Sequence, residues 1–141
     1  MSELVEITSK LSHKFSAADL KNCKFDAGVS SPEMRIYGSD MVWRIDVCPS
    51  GGISSTGKEY PDKVGVFLCN RGKEGVTASY KLFALPYFSD NEKTLLGSSE
   101  NVKFEPHGIR WGVFTDQLDQ GAASATNNGS LVIEVRTIVA G

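Results

Sequence analysis

The sequence predicts an all-β fold, an antiparallel β-sandwich of seven to eight strands with one or two short helices. Three observations predict it. Apolar and polar residues alternate with period two in four segments, turn-forming clusters separate those segments, and helix signals are weak. The 141 residues are one domain's worth, read as a single unit over 1–141. With 40% hydrophobic and 23% charged residues, the composition is that of a chain that folds rather than stays disordered.

The first clear strand is Met41 to Cys48, with Trp43, Ile45 and Val47 on one face and Arg44 and Asp46 on the other. Lys63 to Cys69 repeats the pattern, turning Val64, Val66 and Leu68 inward. Val76 to Leu85 sets Val76, Ala78, Tyr80 and Leu82 against Thr77, Ser79 and Lys81. Leu131 to Val139 sets Leu131, Ile133 and Val135 against Glu134 and Arg136. Met34 to Tyr37, Asn101 to Glu105 and Ile109 to Phe114 are shorter strand candidates. Turns are expected at Gly38-Ser39-Asp40, Pro49-Ser50-Gly51-Gly52, Asn70-Arg71-Gly72, Ser89-Asp90-Asn91 and Asn127-Asn128-Gly129, whose residues favour positive φ or Asx turns. Ser16-Ala17-Ala18-Asp19 resembles a capping box ahead of Leu20. Thr115 to Gln120 is the candidate for a second short helix.

Fifteen basic against seventeen acidic residues give a net charge of -2. That balance, with no window rich in Lys and Arg, argues against general nucleic-acid binding. No apolar run reaches the length of a membrane-spanning helix, and the N-terminal residues lack a secretory pattern. Cys23, Cys48 and Cys69 are odd in number and widely spaced. They read as free thiols in a reducing compartment, cytoplasmic or nuclear.

Chemistry-bearing motifs are sparse. His13 and His107 have no companions at metal-ligand spacing, and no CxxC, HExxH, GxSxG or phosphate loop occurs. No metal, cofactor or catalytic constellation is therefore expected. A thiol nucleophile pairing Cys48 or Cys69 with His107 is the catalytic alternative, against the plainer reading of packed thiols. Arg44, Asp46, Lys63 and Lys81 read as solvated face charges. Phe67 lies on the polar face of its strand, so either another segment covers it or it belongs to a binding surface. Tyr80 falls on an apolar face and reads as core, as does Trp111 taken alone.

Several of these segments together resemble the MATH (meprin and TRAF homology) pattern over roughly residues 28–139. Ser31-Pro32, Gly38 and Trp43-Arg44-Ile45-Asp46-Val47-Cys48-Pro49-Ser50-Gly51 are similar to its Ser-Pro, Gly and Trp-x-(apolar)-x-(apolar)-x-Pro-x-Gly sequence. Lys63 to Leu68, Val76 to Leu82, Arg110-Trp111-Gly112-Val113-Phe114 and Asn128 to Val139 resemble the elements that follow. Residues 1–27 carry no match, and His13 to Lys24 lacks the family's Trp-x-Ile-x-Asn-Phe signature. The resemblance implies a TRAF-like sandwich that binds short extended peptides of partner proteins in a shallow groove, as an adaptor or substrate-recognition module. Carried over by position, the groove residues are Phe67, Tyr80, Val102, Trp111 and Val113. The expected partner is a protein or peptide, not nucleic acid or membrane. A carbohydrate-binding β-sandwich, stacking sugars on exposed aromatics, is the alternative.

Overall fold

A computed structural model describes residues 6–35, 41–85, 94–108, 110–118 and 130–140. Strand β1 (Glu6–Ser16) runs into the single-turn helix α1 (Ala17–Leu20). The Ser16 hydroxyl accepts the Asp19 N–H at 3.2 Å, the expected cap. Two short strands follow, β2 (Val29–Ser30) and β3 (Met34–Arg35), then β4 (Val42–Cys48). A small hairpin of β5 (Gly52–Ile53) and β6 (Glu59–Tyr60) leads to β7 (Val64–Asn70), β8 (Val76–Leu85) and β9 (Thr94–Phe104). The last two are β10 (Trp111–Thr115) and β11 (Ser130–Ala140).

The fold is all-β, as expected. One sheet has the order β1-β11-β8-β9; the other runs β10-β7-β4, with β2 and β3 both paired to β4. All these pairings are antiparallel. Eleven strands are found among the described residues, against the seven to eight expected. The strand expected from Met34 appears as β3; β1, β2, β5 and β6 are not among the expected strands, and the last three are each two residues long, too short for alternation to register. No second helix forms over 115–118, where β10 ends at Thr115 and the chain bends. The turns expected at 38–40, 89–91 and 127–129 lie outside the described residues.

Between the sheets, Trp43, Ile45 and Val47 of β4 and Val64, Val66 and Leu68 of β7 are fully buried. Opposite them stand Leu11 and Phe15 of β1, Leu82 of β8, Phe104 of β9, and Ile133 and Val135 of β11. Trp43 meets Phe104 edge to face, ring centroids 5.1 Å apart, a favoured aromatic geometry. Ser31-Pro32 explains the break between β2 and β3. Proline has no N–H to give a ladder, and the Ser31 hydroxyl takes the Ile45 N–H at 2.9 Å instead. Gly51, at φ +85°, closes the turn after β4, where any Cβ would lie 2.1 Å from the Tyr60 carbonyl oxygen.

Candidate functional site

Three of the five groove positions, Phe67, Trp111 and Val113, divide between the two faces of the β10-β7-β4 sheet, while Tyr80 and Val102 belong to the other sheet. Register decides this. Trp111 lies opposite Leu68 and Val113 opposite Val66, so both face inward; Gly112 lies opposite Phe67, which faces outward. Directly opposed residues share a face.

On the inner side, the edge strand β10 meets the edge strand β9 of the other sheet. Trp111 is 36% exposed, and its indole N–H donates to the Lys103 carbonyl at 3.0 Å. Its ring approaches that of Phe104, centroids 6.3 Å apart. Val113 sits on Gly97, where an added Cβ would be 3.1 Å from the valine Cβ. Val113 and Val102 are both half-buried and packed on the core. Tyr80 lies beneath, 4% exposed, its ring 5.8 Å from Phe104. Burial pushes its hydroxyl pKa up, against the hydrogen bond from Ser99. Trp111, Val113, Val102 and the underlying Tyr80 therefore belong to one seam.

Phe67 does not. Its outward parity is correct, but it is 8% exposed and lies on the far side of the sheet. The Arg110 guanidinium covers its ring at 4.3 Å from the centroid, and Phe114 meets it edge-on at 5.3 Å. Tyr60 of the small hairpin stacks on Phe114 at 4.6 Å, nearly parallel. Two glycines make room for this layer. A Cβ on Gly65 would come within 2.7 Å of the Phe67 ring, and one on Gly112 within 2.0 Å of the Val66 carbonyl oxygen.

Asp46 stands opposite Phe67 on β4, and is buried rather than solvated, at 3% exposure. Arg44 grips it twice, Nε to Oδ1 at 2.9 Å and Nη2 to Oδ2 at 3.1 Å. Arg110 adds a longer contact at 3.4 Å, and the Cys69 thiol donates at 3.3 Å. Burial works against the carboxylate, but hydrogen bonds from Arg44, Ser30 and Cys69 and the Arg44 charge outweigh it and hold the pKa below the ordinary carboxylate value. Burial first, then the neighbouring Asp46 charge, pushes the Cys69 thiol up to about 12. Burial also raises Cys48, against the pull of Arg110. These are protonated thiols and poor nucleophiles.

No protein-family model matches this chain. No curated protein matches it as a relative. The site is thus read from its geometry. Among the described residues, no group of three or more His, Cys, Asp or Glu side chains could hold a metal ion, and no helix is long and apolar enough to cross a membrane. Cys23, Cys48 and Cys69 are free thiols. Arg110 is the residue that sequence reasoning passes over, and Asp46 is the one it reads as solvated although it is buried. The signal that points to them is the pair Gly65 and Gly112 around an outward aromatic, since a strand glycine marks a close approach by another group.

Proposed function

We propose that this chain is a protein-interaction module that captures a short extended segment of a partner protein along the β9-β10 seam. The observation that carries this reading is Trp111, a large aromatic left over a third exposed on an edge strand. Its ring is held by the Lys103 carbonyl and flanked by half-buried Val113. Among the described residues β10 has one ladder partner, β7, and β9 has one, β8. The outer edge of either strand offers main-chain donors and acceptors to an added strand. Main-chain bonds then supply affinity, and alternate side chains of the peptide rest on Trp111 and Val113. Tyr80 supports the seam from below; Phe67 stays outside it. The resemblance to peptide-binding MATH domains points to the same kind of ligand and to an adaptor or substrate-recognition role. The three free thiols suit a cytoplasmic or nuclear setting. Affinity for one segment is modest, because a flexible ligand loses conformational entropy on binding.

The test is calorimetric titration of a peptide selected on the wild-type protein. Trp111→Ala weakens binding by about thirtyfold, the loss typical of an aromatic hot spot. Ile53→Ala, also an exposed apolar residue at 40% but on the small hairpin, leaves affinity unchanged. Equal affinity in Trp111→Ala and wild type refutes the seam. Selection of glycans in place of peptides on parallel arrays refutes the ligand class.

A further inference from the structure

A second surface lies on the outer face of the β1-β11-β8-β9 sheet, away from the seam and independent of it. Register places Lys10, Arg136 and Lys81 directly opposite one another on β1, β11 and β8. Lys14 lies on the same face of β1, opposite Val132. Neighbouring strands run roughly 4.8 Å apart, so the first three cations form one close row. Like charges directly opposed across strands are destabilising. Among the described side chains of these three strands, this face carries one carboxylate, Glu134. Removing these four cations and Glu134 leaves eleven basic against sixteen acidic residues, a net charge of -5 on the rest of the chain.

Glu134 is fully buried although it points to the outer face, with Lys10 Nζ at 2.8 Å and Arg136 Nε at 3.5 Å. The Lys10 and Arg136 side chains stay 60% and 50% exposed. Arg136 also lies over the Phe83 ring, 5.7 Å from its centroid. The carboxylate therefore fixes two cations in place while leaving much of each open to solvent. A ligand meeting them avoids part of the entropic cost of ordering long side chains.

We propose that this face docks a short acidic segment of a partner polypeptide, whose carboxylates neutralise the Lys10-Arg136-Lys81 row. A short segment is favoured over a long polyanion. Nucleic acid or an anionic membrane extends beyond the row and meets the net negative remainder, which repels it.

The probe is a fluorescein-labelled octaglutamate peptide, followed by anisotropy at low ionic strength, with thermal melts on each variant. Lys81→Glu weakens binding about tenfold and Lys81→Ser roughly threefold, while both melt no lower than wild type. Lys24→Glu, an exposed cation outside this face, leaves binding unchanged. Raising salt to the physiological range weakens the wild type and narrows the gap between variants. Wild-type affinity in both Lys81 variants overturns the proposal, as does an equal loss in Lys24→Glu. Tighter binding of an oligonucleotide or of phosphatidylserine vesicles than of the peptide overturns the choice of partner.

Discussion

Replacing Asp46 by Asn removes one charge from the layer outside the β10-β7-β4 sheet and keeps its shape. Two guanidinium groups then face a neutral amide. Breaking a fully buried ion pair costs about 3–5 kcal/mol. The Arg44 and Arg110 side chains are 27% and 34% exposed, so water recovers part of that loss. The expected destabilisation is about 2–3 kcal/mol at neutral pH, read from the urea midpoint at unchanged slope. Acid supplies a second reading. The folded pKa of Asp46 lies below its ordinary value, so its stabilisation is full above about pH 4, the unfolded carboxylate value. It disappears as pH falls through the folded pKa. The gap between wild type and Asp46→Asn therefore narrows in acid. A loss under 1 kcal/mol at neutral pH, or a gap that stays constant well below pH 4, refutes the buried-charge assignment.

Phe67→Ala destabilises the protein by about 3 kcal/mol, because an almost buried ring is lost from beneath Arg110; full retention of the urea midpoint would show that the ring is not covered. Trp43→Ala costs ~3–5 kcal/mol as a deletion from the centre of the core, and a loss under 1 kcal/mol in the same titration would contradict its position between the sheets. In the native protein the half-buried Cys23 reacts first with a thiol reagent at mildly alkaline pH, while Cys48 and Cys69 react slowly. Three equivalents react in denaturant, and a fast reaction at Cys69 in the native state would contradict its raised pKa.

Strands β4, β7, β8 and β11 are legible in the sequence because each has one apolar face opposed to the core. Strand β1 is harder to read. Ile7, Leu11 and Phe15 keep the alternation, but Ser9 and His13 interrupt it, and only pairing with β11 over its whole length fixes the strand. Of the long β9 only the end from Asn101 is legible; irregularities in its register opposite Tyr80 and Leu82 break the period of two before it. Phe67 illustrates the limit at the candidate site. Its outward direction follows from parity, whereas its cover comes from Arg110, more than forty residues along the chain. Arg110 arrives there only because β10 pairs with β7 in the register that sets Gly112 beside Phe67. Asp46 is invisible for the same reason, since a charge on an outward strand position reads alike whether solvated or capped. Trp111 is equivocal because an edge residue facing inward is both packed and open.

The strand that closes the four-stranded sheet does so from the middle. β11 lies between β1 and β8, so the first and last strands among the described residues are direct neighbours, more than a hundred residues apart. Until residues 130–140 leave the ribosome, β1 has no ladder to join and the edge of β8 that β11 takes up stays unpaired. Assembly of this sheet is therefore a late event that closes the longest loops in the chain. Such non-local pairing folds slowly, and the waiting strands are the ones a chaperone would shield during synthesis.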